Sequence, residues 1–189
     1  METPFGTDFD AVVNFRERVK DMDKYYVYQM NGCDMNDTVA YVFKSCTSMA
    51  EMTVEMDQST EGFMRDEHAY VDAKHDRCQN YRTITLWTYH PTMRRILRLA
   101  VMDVEKENTE GLTILCITFN RMLQDHTGKD NYMFNPVGFV CDEHHANFRS
   151  IQAVFGDDVL PRVKTCEFHY KHCVQRHSRC IEQQLRPQF

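Results

Sequence analysis

Two short apolar runs in this chain each deliver an aspartate to a place where chemistry could be done. Tyr70-Val71-Asp72 and Phe139-Val140-Cys141-Asp142 both read as strands that end on an acid. Ligands and metals gather at the carboxyl ends of strands in α/β domains. Two carboxylates held side by side repel one another, and a hard divalent cation relieves that repulsion by taking both as oxygen ligands. The expectation is a magnesium or manganese site at Asp72 and Asp142, of the kind that serves phosphoryl transfer.

The elements that must position these acids follow from spacing. Val137 to Cys141 is a strand, and the helix after it carries Phe148, Ile151, Val154 and Phe155 on one face, with Gly156 as its stop. A second strand, Val163 to Phe168, follows, and Cys166-x-x-His169 lies across its end. Upstream, Tyr70 to His75, Thr83 to Tyr89 and Arg95 to Val104 read as three strands with short links, the middle one alternating Ile84 and Leu86 against Thr85, Trp87 and Tyr89. A helix capped by Asn108 or Thr109 then brings Leu112, Leu115, Cys116, Phe119, Met122 and Leu123 to one face. The final helix carries Tyr170, Val174, His177, Ile181 and Leu185.

The order β-β-β-α-β-α-β-α predicts an α/β domain of ribonuclease H-like plan over residues 63–189. That plan is a mixed five-stranded sheet, three antiparallel strands followed by parallel ones, with helices on both faces. Residues 1–62 are expected to form a leader packed on it. The leader has a helix from Asp8, strand-like runs Tyr25 to Met30 and Val39 to Phe43, and a helix opened by the capping box Ser48-Met49-Ala50-Glu51.

Composition narrows the function classes. At 189 residues, 42% hydrophobic and 26% charged, the chain can bury a sizeable core. A net charge of -6 weighs against non-specific coating of nucleic acid. The cations gather late, at Arg162, Lys164, Lys171, Arg176, Arg179 and Arg186, as either a phosphate-facing surface or a solvated helix face. Eight cysteines are widely spread, and the opening residues Met1 to Val13 are neither basic nor apolar, so an unsecreted protein with reduced thiols is expected. No apolar run approaches the ~18 residues of a membrane span. A Gly-rich phosphate loop, G-x-S-x-G, H-E-x-x-H and C-x-x-C are all absent.

Several of these segments together resemble the catalytic domain of Mutator-like (MULE) transposases, over about residues 66 to 180. They are Tyr70 to His75, Tyr89-His90-Pro91, Leu99 to Asp103, Phe139 to Asp142 with Ala146-Asn147, Phe155-Gly156, and Cys166-Glu167-Phe168-His169. The resemblance implies a nuclear enzyme of the DDE superfamily, in which three acids hold two metal ions that cut DNA and join the freed 3′ end to a new site. Carried over by position, Asp72 and Asp142 are the first two acids. The third comes well beyond the Cys-x-x-His in that family, and Glu182 on the final helix is its stand-in here. A C-terminally truncated, decayed or domesticated copy is therefore expected, weak or inactive alone. The alternative is a domesticated DNA- or protein-binding module that keeps the fold without the chemistry.

The implied partners are DNA, in the form of transposon ends, and a second copy of the chain, with no membrane. Lys74, Arg77, Lys171 and Arg176 are the expected nucleic-acid contacts. Cys166 and His169 are either zinc ligands, with Cys173 as a third, or a packing signature. No fourth ligand is evident, so packing is the preferred reading.

Overall fold

The computed structural model describes residues 8–32, 39–58, 66–78, 80–142 and 144–178. Helix α1 (Asp8–Val19) is followed by strands β1 (Gln29–Asn31) and β2 (Tyr41–Lys44) and by helix α2 (Thr47–Gln58). Strands β3 (His68–Cys78), β4 (Tyr81–His90) and β5 (Arg95–Val104) come next, then helix α3 (Thr109–Thr127) and strand β6 (Gly138–Cys141). Helix α4 (His145–Phe155), a 3-10 turn (Asp157–Arg162), strand β7 (Val163–Thr165) and helix α5 (Glu167–Ser178) complete the described chain.

One mixed sheet organises the molecule, in the order β1-β2-β5-β4-β3-β6-β7. It has seven strands, where five were expected. The additional two come from the leader: β2 pairs antiparallel with β5, and β1 with β2, so an edge that β5 would otherwise expose is covered by the chain's own first residues. Strands β3, β4 and β5 are antiparallel neighbours, β6 runs parallel to β3, and β7 parallel to β6. A bulge at Leu99, between the pairs Leu86 with Ala100 and Trp87 with Arg98, keeps alternate residues of β5 on their proper faces.

Alternation decides where the core lies. Ala69, Val71, Ile84, Leu86, Met102, Phe139 and Cys141 point to one face and are buried under α2, α3 and α4, whose Met56, Leu115, Phe119, Leu123 and Ile151 meet them. Phe119, Phe134, Phe139 and Phe155 form an aromatic chain through its centre, with successive ring centroids 5.1, 6.4 and 4.9 Å apart. The other face is covered only in part: Val42 and Thr83 are buried on it, whereas Arg98, Tyr89 and Ile96 are exposed. Helix α1 approaches it at the β1 margin, where the Phe9 ring stands 3.2 Å from the place a Gly32 Cβ would occupy. Helix α5 approaches it at the opposite margin, through His169.

Caps account for several boundaries. The Asn108 side chain accepts the Gly111 N–H at 2.9 Å and opens α3, and Gly128 closes it in the left-handed conformation at φ 66°. The expected capping box at Ser48 does not open α2. That helix starts at Thr47, whose N–H and hydroxyl both donate to the Asp23 carboxylate, at 2.8 and 2.9 Å. Burial pushes the Asp23 carboxyl up, but the bonds from Thr47 and Tyr25 outweigh it and hold the group below its ordinary range.

Gly138 marks the closest backbone approach in the sheet. A Cβ there would stand 2.2 Å from the carbonyl oxygen of Arg162, which is main chain and cannot swing aside. Gly138→Ala should therefore cost about 2 kcal/mol by forcing β6 and the 3-10 turn apart. Urea denaturation measures it, and a loss below ~0.5 kcal/mol, the scatter of ordinary surface changes, would refute the approach.

Candidate functional site

The parallel pairing of β3 with β6 decides how the two acids are related. His68 is level with Gly138, Ala69 with Phe139 and Tyr70 with Val140. Continued by two residues, the same register brings Asp72 level with Asp142 on strands that lie ~4.8 Å apart. Asp142 follows the end of β6, but Asp72 does not end its strand as expected: β3 runs on to Cys78, paired with β4 through Lys74. Asp72 falls on the sheet face away from the core, whereas the Asp142 carboxylate turns to the first turn of α4. Asp72 has 53% of its side chain exposed, enough for a hydrated ion to reach it.

Asp142 is held in place. Its Oδ1 accepts the His144 N–H at 3.1 Å and a bond from the Asn147 side-chain amide, and Asn147 is buried in the first turns of α4. A carboxylate in front of a helix N-terminus also gains from the helix dipole. The remaining oxygen, Oδ2, takes part in neither bond. Two carboxylates of this kind are a hard-oxygen donor set and suit magnesium or manganese.

His169 is the unexpected neighbour. Its Nε2 lies 3.8 Å from Asp72 Oδ1, while its Nδ1 is buried without a hydrogen-bond partner. The distance is too long for a hydrogen bond, so the pair attracts only when the imidazole is protonated. His169 was expected at the end of the strand that carries Cys166. Instead β7 ends at Thr165, the Cys166 N–H makes a last bond of 2.7 Å to the Cys141 carbonyl, and α5 begins at Glu167. The Cys-x-x-His motif therefore straddles a strand-to-helix corner. Among the described residues no three His, Cys, Asp or Glu side chains form a preformed metal-holding group.

No protein-family model matches the chain, and no curated protein or solved structure is similar to it at a significant level. The site has to be read from its own residues.

The other expected residues divide. Lys74 is exposed and lies on the same face as Asp72, two residues along β3. Lys171 is on α5 and forms an ion pair with Glu167 Oε1 at 2.6 Å. Arg162 donates to the Pro136 and Val137 carbonyls at 3.4 and 3.3 Å, which commits it to holding the entry to β6. The side chains of Arg77 and Arg176, and the whole of Glu182, lie outside the described residues. Burial pushes the Cys116 thiol up to about 12, and burial with the nearby Asp142 charge does the same for Cys141, so neither supplies a thiolate nucleophile at neutral pH. Among the described residues, no helix is long and apolar enough to cross a membrane.

Asn147 had no role in the sequence-based reading of the site. The available signal was a polar residue on the buried side of an amphipathic helix, five positions after an acid that precedes it.

Proposed function

We propose that this chain is built on the ribonuclease H-like plan and belongs with the Mutator-like transposases, acting on DNA in the nucleus by metal-dependent phosphoryl transfer. The strand order β5-β4-β3-β6-β7, with the first three antiparallel and the last two parallel, supports that plan. The observation that carries the chemistry is the register between β3 and β6, which brings Asp72 of β3 level with Asp142 at the carboxyl end of the adjacent strand β6.

In this reading Asp72 and Asp142 hold a magnesium or manganese ion, with Asn147 fixing the orientation of Asp142. A bound ion of this type activates an attacking hydroxyl and neutralises charge on the phosphate. Lys74, on the face of Asp72, meets the DNA backbone. Glu182 remains the candidate third acid, and without a third acid catalysis is weak.

Calorimetric titration with manganese and a nicking assay on supercoiled DNA test the proposal. The expected result is binding in the millimolar range or tighter, with slow metal-dependent nicking. Binding without nicking would make the chain a module that keeps the fold and has lost the chemistry. Absence of metal binding at tens of millimolar would overturn the metal site altogether.

A further inference from the structure

The face that carries Asp72 also carries a second row of side chains, and the sheet register specifies it. Arg98 pairs with Trp87, Trp87 with Tyr70, Tyr70 with Val140, and Val140 with Lys164. Paired residues point to the same side of a sheet. The result is a line across five strands with a cation at each end and two aromatic rings and an aliphatic side chain between. At ~4.8 Å per strand it is ~19 Å long. The Tyr70 and Trp87 rings are stacked, 4.2 Å apart and 13° from parallel. Asp72 is two residues along β3 from Tyr70, so this row runs directly beside the acids.

The row is open. Arg98 and Lys164 are exposed and Tyr70 and Trp87 are partly so. The next cross-strand pair on the same face, Tyr89 with Ile96, is 36% and 64% exposed. Apolar and aromatic surface of this kind, exposed between α1 and α5 among the described residues, marks a contact surface. At the α1 margin it continues into a trough of about 540 Å³ lined by Tyr26, Lys44, Cys46, Ile96 and Arg98.

The charge on this face differs in character from that of the whole chain. The chain carries -6, yet on this side Lys74, Arg98 and Lys164 stand against Asp72, while Lys44 and Asp103 pair with each other. Asp103 also accepts from the Thr83 hydroxyl at 2.6 Å. Aromatic rings flanked by cations on an open surface suit a ligand with flat faces and a charged backbone. A duplex hides its base faces, whereas a single strand offers them for stacking.

From this arrangement we infer that the face bearing Arg98, Trp87, Tyr70 and Lys164 binds single-stranded DNA, with bases against the Tyr70 and Trp87 rings and phosphates at Arg98 and Lys164. The inference rests on the DNA-processing reading for its choice of polyanion and gives that reading a substrate form: an unpaired strand led past Asp72 and Asp142.

Trp87 is the single tryptophan of the chain, so its own fluorescence reports the contact. The full chain is titrated with a twelve-nucleotide oligothymidylate in chelator, which keeps the outcome independent of metal binding. Quenching of Trp87 emission is expected, with at least tenfold weaker binding to a duplex of equal length. Arg98→Ala with Lys164→Ala should weaken binding about tenfold or more and reduce the salt slope by about 1 to 1.5. Tyr70→Ala should weaken it by about tenfold as well. Circular dichroism checks that the variants remain folded, and the doubly exposed Arg98 and Lys164 pair guards against a folding failure of Tyr70→Ala. Absence of quenching, equal affinity for duplex, or unchanged affinity in the double variant would each overturn the inference. Concentration-dependent self-association that buries Trp87 without oligonucleotide would overturn it too, in favour of a second copy on this face. If metal fails to bind and the oligonucleotide binds, only the catalytic reading falls.

Discussion

Phe139→Ala is expected to remove about 3–5 kcal/mol of stability, a large part of the 5–15 kcal/mol that a domain of ordinary stability possesses. Phe139 is 1% exposed and stands between the sheet, α4 and the loop before β6. Its strand neighbour on β3 is Ala69, which has no bulk to close a gap, and its ring lies 6.4 Å from Phe134 and 4.9 Å from Phe155. Helix α4 and the loop before β6 would both lose their contact with the sheet, and a cavity so walled by rings collapses poorly. The matched control is Ile96→Ala on the open face, where a residue 64% exposed should change stability by no more than ~0.5 kcal/mol. Denaturant midpoints at constant slope separate the two. A loss below ~1.5 kcal/mol at Phe139 would mean that β6 is not a central strand, and the relation between Asp72 and Asp142 would fall with it.

The contrast between these positions is the one that was legible in the sequence. Alternation along Thr83 to Tyr89 already separated Ile84 and Leu86 from Trp87 and Tyr89, and β5 runs over Arg95–Val104 as its apolar pattern predicts. Helix α3 was equally readable, because a 3.6-residue stripe with an Asn cap and a Gly stop leaves few alternatives. Where the reading departs, a long-range partner overrode a local preference. Tyr25-Tyr26-Val27 has the composition of a strand, yet Tyr25 is buried in a turn and only Gln29–Asn31 pairs. The cap of α2 comes from Asp23, 24 residues before Thr47, which no local motif encodes. β7 stops short because Glu167 suits the first turn of a helix, which begins directly after the last bond to β6, from the Cys166 N–H to the Cys141 carbonyl. The site shows the same division: Asp72 and Asp142 could be picked from the apolar runs that carry them, and Asn147 stands only five positions from Asp142, whereas the contact of His169 with Asp72 exists only once β3 and α5 meet.

Asp142→Asn should abolish manganese binding, and Asn147→Ala should weaken it by about 10- to 100-fold while leaving some behind. The two variants act on one carboxylate in different ways. Asp142→Asn removes the charge that makes the oxygen a ligand for a hard cation, and one remaining acid, Asp72, is too exposed to hold an ion without it. Asn147→Ala keeps the charge but frees Asp142 to rotate, since the side-chain amide of Asn147 is one of the two donors to Oδ1 and the other, the His144 N–H, fixes only one direction. Ordering that carboxylate would then be charged to metal binding, which is how loss of an outer partner lowers affinity. Asn147 is 5% exposed, so its replacement also costs about 1 kcal/mol or more of stability and must be titrated well below its unfolding midpoint. Calorimetry on the wild type and both variants gives the order directly. Equal affinity in all three would mean that Asp142 serves only to hold the start of α4, and the site would then have to be sought away from Asp72 and Asp142.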